Sequence, residues 1–430
     1  MKGSARSVTG TTEASVWARW RCIQLSPVHV PVLLLDSSRR TAAALLQEAV
    51  ALGEAEDAEH DDNSREPATP AATSAWASDA GSAAGDAVLM RALVLRTFGD
   101  PLRLEQVRRP DPGPGEVLVR IGASGVNPLD TKIRTGSAAH ARVALPAVLG
   151  MDLTGAVVQL GPGVRRFAVG DEVFGMTGGV GVVPGSLAEY AAVDADLLAV
   201  KPPSLSMVQA AALPLSVITA WEGLVDRVAV HAGQRVLVHG GAGGVGHVAG
   251  ELARACGAEV CGAGLELIRS YGATAIDHTT TSAEQYVASA TDGVGFDVVF
   301  DTVGGAVLDS SFAAVRTYTG HVVSVLGWGS HSLAPLSFRG ATYSGVFSLL
   351  PLLTGQGRAH HGQILTEAAG LVESGALSPM VHPEQFGWDG VTSAHHVVET
   401  GAARGKVVLD LTRPPGSTGL RTAAATRTER

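Results

Sequence analysis

Between residues 90 and 213 the apolar positions come in short runs cut by turn residues. Residues 92–95, 115–121, 155–160 and 171–174 read as strands, with Pro112, Pro114, Gly161, Pro162 and Gly163 between them. Short runs separated by Gly and Pro predict a compact, β-rich domain. Beyond residue 213 the pattern changes. Strand-length apolar runs at 234–239, 259–261, 274–276, 297–300 and 321–326 alternate with helical stretches at 247–256 and from Ser282, Ala306 and Gln363. Such alternation predicts a parallel sheet covered by helices, so the fold class is α/β. A last strand is expected at 406–411, followed by an unstructured Pro/Gly/Thr/Arg tail.

Residues 1–89 have no such periodicity. An acidic run at 54–66 leads into an Ala/Ser/Thr/Pro/Gly tract through Ala87, which predicts disorder apart from a short helix at 41–52. Met90 opens the folded pattern, and a start codon placed too early accounts for the preceding segment better than a functional leader does.

A chain of 430 residues exceeds the usual single core, so two domains plus extra segments are expected. No apolar run reaches the roughly 18 residues of a membrane span. The net charge is −9, and no stripe of Lys and Arg suits a phosphate backbone, which argues against nucleic acid as a partner. The three cysteines, Cys22, Cys256 and Cys261, are too few for a disulfide framework or a four-thiolate cluster, and point to the reducing cytoplasm.

The segment Gly240-Gly241-Ala242-Gly243-Gly244-Val245-Gly246 contains a GxGxxG pattern. In a chain with 53 glycines the pattern alone decides little. Its context is what carries weight: it follows an apolar strand and opens a helix. Backbone N–H groups and the helix N-terminus then converge where a dinucleotide's pyrophosphate can sit, and a side chain at Gly243 would block the approach.

Further motifs surround this turn. They are Gly125-Val126-Asn127-Pro128-Leu129-Asp130, Leu149-Gly150-Met151-Asp152, Val169-Gly170-Asp171-Glu172-Val173 and Gly185-Ser186-Leu187-Ala188-Glu189-Tyr190, with residues 213–224 before the Gly-rich turn. Together they resemble the zinc-free quinone oxidoreductase branch of the medium-chain dehydrogenase/reductase superfamily, over residues 90–411. The resemblance implies a GroES-like β-rich catalytic domain, 90–213 with 346–412, and a doubly wound Rossmann domain, 214–345.

Zinc members of that superfamily carry Cys, His and Cys ligands where this chain has Asn127, Met151 and Leu215, so no catalytic metal is expected. The pairs His360-His361 and His395-His396 are adjacent on helices and diverge, which suits surface or helix-end roles better than a metal. The implied chemistry is direct hydride transfer from a nicotinamide to a quinone or an activated alkene, with hydrogen-bond donors stabilising the developing oxyanion. Asn127 and Lys132 are the catalytic candidates. Thr219 is expected beside the nicotinamide, Trp221 in the core, and Asp130 and Asp152 in structural roles. Thr302, Val303 and Gly304, and then Val325, Leu326 and Gly327, occupy strand ends that would add cofactor contacts.

The chain departs from the family after the second Rossmann strand. Residues 260–264 run directly into 265–269, without the Ser and Lys that hold the ribose 2′-phosphate in NADPH enzymes, and His278 stands at the usual Tyr. Arg269 or His278 is a candidate substitute contact. NADP(H) is the expected cofactor, with weakened affinity, and NAD(H) stays open. Two alternatives accompany the quinone or enone reductase reading: an enoyl-thioester reductase, and a nucleotide-binding protein with little turnover. Residues 340–349 read as an edge strand that could pair in a homodimer.

Overall fold

A computed structural model describes residues 88–263, 265–277 and 280–414. The disorder and helix expected before residue 88, His278, and the tail beyond residue 414 lie outside the described residues.

Fifteen strands are described: β1 (Leu89–Leu95), β2 (Arg103–Arg108), β3 (Glu116–Gly125), β4 (Ala147–Val148), β5 (Asp152–Leu160), β6 (Glu172–Met176), β7 (Tyr190–Asp194), β8 (Leu198–Val200), β9 (Arg235–His239), β10 (Glu259–Ala263), β11 (Thr274–Ile276), β12 (Val298–Asp301), β13 (His321–Ser324), β14 (Thr342–Gly345) and β15 (Val408–Asp410). The early strands form two antiparallel sheets, ordered β2-β1-β4 and β15-β3-β5-β6-β8, with β7 also paired to β3. This is the GroES-like part. The later strands form one parallel sheet, β11-β10-β9-β12-β13-β14, with helices between successive strands. It is a Rossmann-type sheet. Its central strands are continuous apolar runs: Val236, Leu237 and Val238 in β9 and Val298, Val299 and Phe300 in β12 are all buried, as a sheet covered on both faces demands.

Three elements differ instructively from the sequence pattern. The helix after β9 runs Gly244–Ala255 and starts three residues before the expected 247. Its first turn is Gly-Val-Gly, poor helix formers that conceal the start. The strand expected at 340–349 is confined to β14, because Gly340 is the left-handed C-cap of the preceding helix Ala334–Arg339 and, after the Val346 N–H bonds the Ser324 carbonyl at 3.0 Å, the chain enters a turn at 348–349. Among the described residues β14 pairs only with β13, at an edge of the parallel sheet. The helix expected from Gln363 begins at Arg358 and packs against β8 and the short helix Ala195–Leu197, returning the chain to the antiparallel sheets. β15 then pairs with β3, Val408 opposite Gly125.

The surface or helix-end role expected for the paired histidines is corrected at two positions. His361 is fully buried and meets Glu222 Oε1 through Nε2 at 3.0 Å, and His395 is 2% exposed. Adjacent helix positions do diverge, so His360 is exposed and bonds Asp226 at 2.8 Å, but the other member of each pair turns inward. No group of three or more His, Cys, Asp or Glu side chains among the described residues is arranged to hold a metal ion. No helix among them is long and apolar enough to cross a membrane.

Candidate active site

The Gly-rich turn sits at the carboxyl end of β9, the central position of the parallel sheet. Gly240 has φ +74, and a Cβ there would lie 2.2 Å from Thr302 Oγ1, so both backbone conformation and space demand glycine. At Gly246 a Cβ would lie 2.1 Å from the Gly240 carbonyl oxygen; the bare α-carbon lets the helix press against the turn. The amides of Gly244, Val245 and Gly246 begin the helix and have no intrahelical acceptor, so the helix end presents free donors and a partial positive charge. His247 holds this turn in place, with Nδ1 3.2 Å from the Gly243 carbonyl and Nε2 3.2 Å from the Ser378 carbonyl. A Cβ at Gly243 would meet nothing closer than Gly240 O at 3.2 Å, so its space opens outward. These features fit a pyrophosphate.

Gly243, Gly244 and Val245 line a cleft of about 400 Å³ between the parallel sheet and the antiparallel sheets. The volume falls in the range of small-molecule sites. Gly240, Gly241, Ala242 and Gly246 shape the turn without lining the cleft.

Across the cleft lies a buried polar cluster. Asn127 caps the helix Pro128–Arg134, its backbone N–H donating to Asp130 Oδ2 at 2.8 Å. Asn127 Nδ2 donates to Asp152 Oδ2 at 3.0 Å, and the other Asp152 oxygen accepts from the backbone N–H of Leu215 at 2.8 Å. Lys406, only 6% exposed, completes the cluster: its ammonium lies 2.8 Å from Asp152 Oδ2 and donates to Asn127 Oδ1. Burial pushes the Asp130 carboxyl up to about 7; the bond from the Asn127 amide opposes this, the nearby Asp152 charge adds to it, and Lys406 opposes it. Asp130 Oδ1 has no hydrogen-bond partner among the described residues.

Lys406 was not singled out in the sequence. It stands 279 residues from Asn127, two residues before β15, where the only visible signal was a short apolar run. The nearest signal was a lysine leading directly into that buried run.

The remaining expected residues divide. Asn127, Lys132, Thr219, Thr302, Val325 and Leu326 line the cleft. Thr219 is buried and lies within hydrogen-bond reach of Ser348, 3.2 Å between hydroxyls, and Lys132 is exposed. Val303 and Gly304 do not line it: their amides donate to Asp301 in a tight turn, at 3.1 Å each. Gly327 lines a neighbouring cavity instead. Trp221 is buried in the core. The helix Leu265–Ser270 follows β10 across a single residue, so the abrupt passage seen in the sequence is real. Arg269 is exposed on that helix and lines neither the cleft nor the neighbouring cavity.

Residues 113–203 match the family model "Alcohol dehydrogenase GroES-like domain" and residues 271–409 the model "Zinc-binding dehydrogenase". The chain is 36% identical to the 2-methylene-furan-3-one reductase of Solanum lycopersicum, over 72% of this chain and 76% of that protein. The chain belongs to the medium-chain dehydrogenase/reductase superfamily. A second superfamily relative, the chloroplastic NADPH-dependent alkenal/one oxidoreductase of Arabidopsis thaliana, is 35% identical over 74% of this chain and 79% of its own. Among solved structures, an alcohol dehydrogenase superfamily protein from Novosphingobium aromaticivorans is 53% identical, with a TM-score of 0.74 over 75% of this chain and 99% of that one. The protein is an oxidoreductase of this superfamily.

The zinc in one family description does not fit the residues present. Asn127 and Leu215 supply no zinc-type ligand, Met151 is fully buried, and the Asp152 carboxylate is already neutralised by the Lys406 ammonium.

Proposed function

We propose that this chain is an NADPH-dependent reductase that delivers hydride, without a metal, to a quinone or to the β-carbon of an alkene conjugated to a carbonyl. The observation that carries the reading is that the anion-binding helix start and the Lys406–Asn127–Asp152 cluster open onto the same cleft.

A bound nicotinamide supplies the hydride. The first-turn amides from Gly244 hold the pyrophosphate, and Thr219, Thr302, Val325 and Leu326 bound the space for the nicotinamide end. As hydride reaches the β-carbon, the π electrons move to the carbonyl oxygen, which must meet donors. Lys406 has three N–H bonds and uses two, on Asn127 and Asp152; the Asn127 amide has two and uses one, on Asp152. Both residues line the cleft, so each has a donor for that oxygen. Among the described residues no carboxylate lines the cleft; Lys132 does, and Lys406, whose charge Asp152 balances, contributes there as a hydrogen-bond donor to the oxygen on which negative charge develops. A proton from water or from the exposed Lys132 then reaches the α-carbon, or the second quinone oxygen, and completes the saturated carbonyl or the hydroquinone.

Several finer assignments accompany this proposal: domain boundaries at 90–213 with 346–412 and 214–345, a homodimer paired through the β14 edge, and cytoplasmic residence. NADPH is taken as the cofactor on the strength of the NADPH-dependent relative, with affinity reduced by the abrupt β10–helix passage. Steady-state NADPH oxidation against a quinone panel and 2-alkenals tests the reaction; oxidation with neither refutes it. Fluorescence titration with NADPH and NADH tests the cofactor, and sub-micromolar NADPH binding would contradict the weakened affinity.

A further inference from the structure

Three rings from separate stretches of chain meet at the edge of the cleft. His140 comes from the short helix Ala139–Ala141, Trp328 from the loop leaving β13, and Phe347 from the segment following β14. The His140 and Trp328 rings stack, with centroids 4.9 Å apart and planes 25° from parallel. Phe347 meets Trp328 edge-on at 6.0 Å and 86°, and His140 at 6.0 Å and 64°. All three line the cleft.

This cluster is not an ordinary piece of core. Trp328 stays 52% exposed although His140 covers part of it, so much of the indole faces open space. The residue before it packs closely: at Gly327 a Cβ would lie 2.2 Å from Tyr343 Oη, so the Tyr343 hydroxyl sits against the bare α-carbon. The same three rings also line a second cavity of about 470 Å³, so the aromatic wall is continuous from the cleft into that space. Among the described residues neither cavity is lined by a carboxylate; Lys132 and Lys406 line the first and Arg142 the second. A short aliphatic acceptor has no ring face to set against such a wall. A flat, electron-poor conjugated ring matches it, because ring faces and edges attract in offset and T-shaped pairs, and fused rings can extend along the wall into the second cavity.

We propose that His140, Trp328 and Phe347 form an acceptor-ring subsite that selects acceptors bearing a flat conjugated ring over short aliphatic ones. The proposal rests on the reductase reading and adds the substrate class to it.

The test uses the full chain and two enones of identical reacting chemistry, 4-phenyl-3-buten-2-one and 3-penten-2-one, with NADPH. The wild-type protein is expected to show a KM at least about tenfold lower for the aryl enone. Trp328→Ala should raise that KM by about tenfold, the size of a stacking contact with its buried ring area, while leaving the KM for 3-penten-2-one within about twofold. Trp328→Phe should retain most of the preference, which separates loss of the ring from damage to the loop. Equal changes for both enones in Trp328→Ala, or no wild-type preference, would overturn the subsite. If the wild-type protein oxidises NADPH with neither enone, the enone half of the reductase reading fails by itself, and the whole reading fails only if the quinone panel is inactive too. The subsite is then decided by calorimetric titration with 1,4-naphthoquinone: binding weakened in Trp328→Ala supports it, and equal or absent binding in both proteins overturns it.

Discussion

Replacing Lys406 by Met tests the cluster at its most vulnerable point. The substitution removes the ammonium and leaves a side chain of similar length, so packing changes little while Asp152, fully buried, loses its counter-charge. Breaking a buried ion pair by deleting one partner costs roughly 3–5 kcal/mol. Asp152 would still accept from Asn127 Nδ2 at 3.0 Å and from Leu215 N–H at 2.8 Å, which places the cost at the lower end, about 3 kcal/mol. The charge, not the shape, is then at fault. Adding Asp152→Asn should therefore recover part of the loss, because Asn127 can turn its amide over and accept from the new amide once Lys406 no longer needs its oxygen. Urea unfolding of the wild-type protein, both single variants and the double variant gives the cycle, with an expected coupling of about 2 kcal/mol. A Lys406→Met protein within about 0.5 kcal/mol of wild type, or an additive cycle, would refute the buried-pair reasoning. Where the variant folds, loss of the donor should also lower kcat by about a hundredfold or more.

Other consequences follow from single residues. Burial, and then the neighbouring Arg134, hold His395 down at about 4, against the weaker opposing pull of Glu399. The unfolded chain takes up that proton first as pH falls, so stability should drop by roughly 3 kcal/mol between about pH 6.5 and 4, and His395→Leu should flatten this limb in pH-dependent urea unfolding. Asp130 acts in the opposite sense. With its carboxyl at about 7, the folded chain takes up the proton first, so stability rises as pH falls from about 7 to about 4 by up to about 4 kcal/mol; Asp130→Asn should abolish that gain while keeping an acceptor for the Asn127 amide. At the turn, Gly246→Ala places a methyl 2.1 Å from the Gly240 carbonyl, and fluorescence titration should show cofactor binding weakened by at least about tenfold. Unchanged affinity there would mean that the helix start does not hold the pyrophosphate.

What the sequence determined by itself was everything carried by local pattern. The runs at 234–239 and 297–300 had to be buried strands because they are apolar on both faces, and a glycine-rich turn between such a strand and a helix had to leave backbone donors exposed. Asn127 and Asp130 were legible through their motif, Gly125-Val126-Asn127-Pro128-Leu129-Asp130, whereas the capping box they form came only with the structure. Tertiary structure alone decided the rest. Lys406 enters the site because β15 pairs with the end of β3 and sets an ammonium against Asp152, a contact without any local signature. His361 and His395 are buried because their helices turn those faces inward, whereas neighbouring His360 faces out; composition treats all of them alike. The aromatic wall likewise joins residues 140, 328 and 347, which come from three separate stretches of the chain. Periodicity records which face of an element is apolar; which elements meet, and so which charges and rings share a cleft, depends on long-range packing.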